Sequence, residues 1–300
     1  MAESYLIRGK KLHVELFGKR HSPAVLFLHG GPGESCYEFV YHQAEKLASE
    51  LFVVAIDQRG VCRSERIGDD EPFGLEDLIE DCEELRQQLG IASWSVIGHS
   101  FGGYLALIYA VTYPESVAEV IFECPTFDFG WTAKSLLTKA VALFEKMGDE
   151  ARSVRCLQLA AGALPAKELF DQYLQLGDDL GEQKELIYSE QEVSTDYTLY
   201  TENEWDQFDE NTEIHLNRLR EEGKIFDSAV PLISRLTVPS LLILGENDPV
   251  TCERHVRAYR AAPRGKIKIF EDCGHTPHKE RPELYKNVVI DYICSDSDPY

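Results

Sequence analysis

The pentapeptide Gly98-His99-Ser100-Phe101-Gly102 lies between an apolar run, Trp94-Ser95-Val96-Ile97, and a helix-forming one, Tyr104-Leu105-Ala106-Leu107. A strand that turns at once into a helix holds its corner residue in a strained backbone, and only small residues two positions either side leave room for the turn. Gly98 and Gly102 meet that need. They leave the Ser100 hydroxyl clear of the sheet and beside the amino end of the helix, where free N–H groups favour a developing negative charge. The chemistry this predicts is nucleophilic attack by Ser100. Gly-x-Ser-x-Gly alone arises by chance in roughly one chain in ten of this length, from ordinary Gly and Ser usage, so the reading depends on the partners around it.

Serine is a weak nucleophile until a base takes its proton, and the base needs an acid to orient it and stabilise its cation. In an open parallel sheet such groups lie beyond the carboxyl ends of strands. Asp248 follows the apolar run Leu241-Leu242-Ile243-Leu244-Gly245, and His275 follows a predicted strand ending at Phe270. With Ser100 they stand in the order Ser, Asp, His. His278, three residues on, competes as base, and Glu123 or Asp128 could reach the place given to Asp248. The tetrahedral intermediate needs N–H donors for its oxyanion. Phe101, after the nucleophile, supplies one. Gly31 of His29-Gly30-Gly31-Pro32-Gly33 supplies the other, since Pro32 has no N–H to give. His29 reads as a brace for that loop, and Arg59 as an arginine tied to its own loop backbone, with a carboxylate clamp as the alternative.

These side chains need a scaffold, and 300 residues with 44% hydrophobic content can bury one. Alternation over 12–17 predicts a half-buried strand pairing with 5–8, whereas the continuous apolar runs 24–28, 52–56 and 239–245 predict strands buried on both faces. Further strands are expected before Ser100, at 117–124 and at 266–270. A helical stretch is expected from the loop at Gly33 to about Glu50. Leu75, Leu78, Ile79, Cys82, Leu85 and Leu89 mark one face of a helix closed by Gly90. Strand and helix alternate, which predicts a parallel sheet with helices on both sides. From 125 to 230 the alternation stops, leaving helix-like segments at 134–147, 150–163, 166–176 and 211–222. About a hundred residues is too long for a crossover loop. The expected organisation is a core of 1–124 and 231–300 with a helical cap at 125–230.

Thirty basic against 52 acidic residues give a formal charge of −22, which repels phosphate backbones and anionic lipid surfaces. No nucleic-acid or membrane partner is expected; the partner is a small-molecule or short-peptide substrate. The excess charge reads first as a solubility charge, with a field that draws in a cationic or amine-bearing substrate as the sharper alternative. Eight scattered cysteines, without Cys-x-x-Cys or a His/Cys cluster at zinc spacing, predict neither metal nor cofactor. No run approaches the roughly 18 apolar residues of a membrane span, and Met1-Ala2-Glu3-Ser4 lacks the basic start of a signal peptide. A cytoplasmic protein is expected.

Together, His29-Gly30-Gly31-Pro32-Gly33, Asp57-Gln58-Arg59-Gly60 with Arg63-Ser64, the Ser100 pentapeptide, Gly245-x-x-Asp248 and Gly274-His275 resemble the α/β-hydrolase superfamily, and most of all its proline iminopeptidase branch. The resemblance spans both halves of the core and leaves out 125–230. It implies a mostly parallel sheet of about eight strands with a lid inserted after the sixth, and a Ser100-His275-Asp248 triad. Two departures bear on substrate. Members of that branch carry Trp or Tyr after the nucleophile in a Gly-Gly-Ser context, where this chain has Gly98-His99-Ser100-Phe101. They also hold the substrate's free amine with acidic residues from the cap and near the catalytic acid; Glu204 and Asp206, flanking Trp205, are the candidates here. The expected function is a serine hydrolase cleaving a carboxylic ester or lactone, with an amine-bearing substrate as a variant of that reading. A proline iminopeptidase-type aminopeptidase is the alternative, and a ligand-binding protein on the same fold is the non-enzymatic one.

Overall fold

The computed structural model describes residues 2–189 and 193–295. Strands β1 (Ala2–Ile7), β2 (Lys10–Phe17), β3 (Ala24–Leu28), β4 (Phe52–Ile56), β5 (Trp94–His99), β6 (Val117–Glu123), β7 (Ser240–Gly245) and β8 (Gly265–Phe270) form one sheet in the order β1-β2-β4-β3-β5-β6-β7-β8. The pairs β1–β2 and β2–β4 are antiparallel and the rest are parallel. The longer helices are α1 (Leu75–Gln88), α2 (Phe101–Thr112), α3 (Phe129–Met147), α4 (Glu150–Ala161), α5 (Ala166–Asp179), α6 (Glu202–Glu222), α7 (Glu253–Tyr259) and α8 (Pro282–Cys294).

The continuous apolar runs belong to strands covered on both sides. Successive side chains of a strand point to opposite faces, so Leu26, Val54 and Val96 enter one core while Val25, Val53 and Ile97 enter the other. Leu78, Ile79 and Leu85 of α1 and Leu105 and Tyr109 of α2 cover the first face. Tyr285 and Val289 of α8 cover the second, with Phe39 and Leu47. The latter two come from the stretch expected as one helix to about Glu50. It is instead two short helices, Tyr37–Phe39 and Glu45–Leu47, joined by a π-helical turn, Val40–Ala44.

Between β6 and β7 the chain makes a helical excursion containing α3 to α6, with no strand among the described residues. Two of its helices start earlier than apolar spacing predicts, and caps explain both. Asp128 accepts a hydrogen bond from Trp131 N (2.9 Å) and starts α3 at Phe129. At α6, Thr201 Oγ1 accepts from Glu204 N while Glu204 Oε2 accepts from Thr201 N (2.8 Å), a reciprocal capping box that begins the helix nine residues before the expected 211. Trp205 and Phe208 are the only apolar residues in the first two turns of α6, so the cap rather than a full apolar stripe sets its start.

The junction of β5 and α2 is a tight strand-to-helix turn. Ser100 takes φ 54° and ψ −116°, outside the ordinary range for a side chain with a Cβ. A Cβ on Gly98 would fall 2.3 Å from Gly102 O, and one on Gly102 would fall 2.0 Å from Leu28 O. Neither position admits any side chain without moving backbone. Gly102→Ala is therefore expected to destabilise by about 2 kcal/mol or more through overpacking, lowering Tm in a thermal melt by roughly 5 °C; an unchanged Tm would mean that β3 and α2 are not packed this closely.

Candidate active site

Ser100 lies at the carboxyl end of β5 and is 8% exposed. Its backbone is tied on two sides. Its N–H donates to Glu123 O (2.9 Å), and its carbonyl accepts from Gly103 N (3.0 Å) and Thr126 N (3.1 Å). The strained corner is thus anchored to the end of β6. Ser100 and His275 line one cavity of about 1140 Å³, floored by the strand ends and walled by the helical excursion.

His275 and Asp248, far apart in sequence, meet at 2.8 Å between Nδ1 and Oδ1. Asp248 is also fixed by Val250 N (2.9 Å) and Thr251 N (3.0 Å). An ionised carboxylate only accepts, so the His275 proton sits on Nδ1 and leaves Nε2 as the acceptor. Burial favours neutral His275, but the adjacent Asp248 carboxylate, with Glu34 and Glu123 further off, outweighs it and raises the pKa above its ordinary value. The same pairing holds the Asp248 carboxyl below its ordinary value despite burial. The His275 backbone N–H donates to Tyr188 O (2.8 Å) of the excursion, so both layers position this residue.

His278, the competing base, occupies a different electrostatic state. Its Nδ1 lies 2.9 Å from Glu123 Oε1 and its Nε2 3.7 Å from Glu38 Oε1. Burial opposes its charge, but these two carboxylates win and push its pKa up to about 10. An imidazolium with both nitrogens protonated has no lone pair to take a proton. Glu123 also accepts from Tyr285 Oη (3.1 Å). It is therefore the partner of His278, and Asp128 is occupied as the cap of α3.

Gly31 takes φ +102°, and a Cβ there would fall 2.4 Å from Gly33 N. It lines the cavity. Phe101 is the first residue of α2, so its N–H has no partner within the helix. The loop is braced as expected: His29 Nδ1 lies 3.0 Å from Gly30 O and Nε2 accepts from Gln58 N (3.0 Å). Burial brings the His29 pKa down to about 4, so it stays neutral. Arg59 is not tied to its own loop; it pairs with buried Asp81 through Nη2 (2.6 Å) and Nε (2.7 Å).

Glu204 and Asp206 do not line the cavity. Glu204 is exposed and its carboxylate completes the α6 cap; Asp206 is exposed as well. Helical geometry gives the reason. Positions 205, 208, 209, 212 and 216 recur at three and four residues and share the face that meets the cavity, so 204 and 206 fall either side of it. The sequence reading missed the acids that do reach the cavity, Glu34, Glu38, Glu185 and Asp209. For Asp209, the spacing from Trp205 was the available signal; for Glu34, its place directly after the glycine-rich loop.

Two sets of donor atoms converge closely enough to suggest a metal: His99, Glu123 and His278, and Cys124, Asp248 and His275. In each, the carboxylate already binds its histidine within 2.9 Å, so the donor sets serve one another.

The sequence profile of the alpha/beta hydrolase fold family matches residues 23–282, and the chain belongs to that family. Proline iminopeptidase of Heyndrickxia coagulans is 29% identical over 277 residues, covering 90% of each chain. Among solved structures, a proline iminopeptidase-related protein of Thermus thermophilus superposes with a TM-score of 0.71 at 21% identity, covering 96% of this chain and 95% of that one. An esterase from Exiguobacterium antarcticum gives 0.65 at 19% identity, covering 98% and 100%. At such identity these two likenesses show the fold. The sheet is that of the α/β-hydrolases, with the helical excursion after the sixth strand.

The His278 pair has a consequence for stability. A folded pKa of about 10 against an unfolded value of about 6.5 means that His278 stabilises fully below pH 6.5 and that this contribution is lost as pH rises through 10. Urea midpoints are expected to fall between pH 7 and 10, and to fall less steeply in His278→Gln; parallel slopes would remove His278 from the balance.

Proposed function

We propose that this protein is a serine hydrolase in which Ser100 is the nucleophile, His275 the general base and Asp248 its orienting acid. The observation that carries this reading is the 2.8 Å His275–Asp248 pair lining the same cavity as a serine held at a strained strand-to-helix corner. Ser100 Oγ attacks the carbonyl carbon as its proton passes to His275 Nε2; the carbonyl π electrons move to oxygen, which the Gly31 and Phe101 N–H groups stabilise. The tetrahedral intermediate collapses, the leaving group takes the proton from His275, and water repeats the sequence on the acyl-enzyme. The helices between β6 and β7 act as the cap over this chemistry, because their side chains wall the cavity.

The substrate is a carboxylic ester or lactone carrying an amine. The cavity's two lysines are already paired, Lys184 with Asp178 (3.4 Å) and Lys279 with Glu38 (2.7 Å). Glu34, Glu185 and Asp209 also line it, and among the described residues no hydrogen bond or ion pair is formed by their carboxylates. That imbalance favours a cation. The second reading, release of an N-terminal residue, is favoured by the similarity to the Heyndrickxia enzyme over nearly the whole chain. All eight cysteines are free thiols, six of them buried, which suits a reducing compartment such as the cytoplasm.

Ser100→Ala should lower kcat/KM by about 10⁴-fold or more, and a fluorophosphonate should label Ser100 alone; a variant keeping a tenth of the activity would exclude Ser100 as nucleophile. His275 must be neutral to act, and its pKa is raised. The acid limb of kcat/KM is thus expected above pH 6.5, the ordinary histidine value. A profile flat from pH 5 to 8 would contradict the assignment. Parallel ester and aminoacyl-anilide panels decide between the two substrate readings.

A further inference from the structure

Glu34 follows the glycine-rich loop and lines the cavity beside the nucleophile. A Cβ built on Gly30 would fall 2.7 Å from Glu34 Oε2 and 2.9 Å from Ser100 Cβ. The carboxylate and the nucleophile's Cβ are therefore within about 6 Å of each other. No hydrogen bond or ion pair from a described residue reaches this carboxylate. The titratable groups facing it are His275, Glu38, His278 and Glu185; of these, His278 is held by Glu123 and His275 by Asp248. By surface the side chain is exposed, yet the surrounding protein desolvates it and raises its pKa. Both hold for a group that lines a cavity, reached by solvent yet surrounded by protein.

An unpaired carboxylate here opposes the chemistry. The acyl-transfer intermediate places negative charge on an oxygen next to Gly31, three residues from Glu34 in the same loop, and like charges at this distance in a desolvated site repel. The opposition disappears when a cation lies between them. An α-ammonium group fits the gap: its nitrogen is about 2.5 Å from its own carbonyl carbon, that carbon approaches the nucleophile at about 3 Å, and an ammonium–carboxylate hydrogen bond adds about 2.8 Å. A longer spacer would carry the amine past Glu34.

We propose that Glu34 is the specificity-determining residue of this site, binding an ammonium one carbon from the scissile carbonyl and selecting α-aminoacyl substrates over their amine-free counterparts. This rests on the serine-hydrolase reading of Ser100. With such a substrate, Glu34 is neutralised by its ligand and the ion pair lies beside the oxyanion; with an amine-free acyl group, the carboxylate stays unpaired and slows the attack. Selection is thus exerted on the acylation step as well as on binding.

The test uses L-alanine benzyl ester, β-alanine benzyl ester and benzyl propanoate, with wild type, Glu34→Gln and Glu34→Asp. Wild type should prefer the L-alanine ester to both others. Glu34→Gln should lower kcat/KM for the L-alanine ester roughly tenfold or more and raise it several-fold for the propanoate, giving a crossover that a merely structural residue would not produce. Glu34→Asp, which keeps the charge, should retain the preference for the L-alanine ester. The rate of Ser100 labelling by an uncharged fluorophosphonate checks the fold of each variant and should not fall in Glu34→Gln. Equal changes on all three esters, or a Gln variant that keeps the wild-type preference, would overturn the role of Glu34 while leaving Ser100 chemistry intact. Absence of turnover on every ester, with no labelling of wild-type Ser100, would overturn the underlying reading and this one with it.

Discussion

The close approach of β5, α2 and β3 at the Ser100 corner is the constraint on which the site depends. Gly98 and Gly102 allow backbone to meet backbone where a single Cβ would collide, and that contact turns the chain sharply enough to put Ser100 at φ 54°. The strain persists because the Ser100 N–H donates to Glu123 O while its carbonyl accepts from Gly103 N and Thr126 N, which over-determines the corner. The same turn starts α2 directly behind Ser100, so the free N–H groups of the helix lie beside that hydroxyl. Position and electrostatic support of one hydroxyl both follow from two missing side chains.

Charge in the layer behind the corner is arranged by pairing. His275 and His278 lie three residues apart, yet one has a single carboxylate partner and the other is flanked by two. The first keeps a free acceptor nitrogen; the second is held as a cation. His99 lies against both, with ring centroids 4.7 Å from His275 and 5.2 Å from His278, and burial brings its pKa down to about 3. A neutral ring thus separates the two charged pairs. Beyond them Glu34, Glu185 and Asp209 line the cavity with no ion pair to a cation among the described residues, and there the excess of acid over base in the whole chain takes on a local form.

Much of the sheet was legible in the sequence because its signals are short-range. A buried parallel strand must be apolar on both faces, and 24–28, 52–56 and 239–245 are. Glycines at a close approach, a serine between them, and an acid and a histidine after later strands are likewise local features, and the 2.8 Å His275–Asp248 contact joins two residues chosen by that rule. Helix starts were less legible where a polar cap sets them: α6 begins at a Thr201–Glu204 box that apolar spacing does not register.

What the tertiary structure decided was which groups share a space. Sequence placed acids at 204 and 206 beside Trp205, but the rotation of α6 sends 205 and 209 to the cavity and leaves Glu204 in a cap. It left His275 and His278 as rivals; their protonation states differ because Glu123 and Glu38, far away in the chain, converge on only one of them. Glu34 was in plain view after the glycine-rich loop, yet its proximity to Ser100 exists only once β3 and β5 pair. Local sequence determined which elements form and which side chains stand at the ends of the strands. Long-range packing determined which carboxylate each histidine meets and which remain open to a ligand, because electrostatic interaction depends on distances that only the folded chain sets.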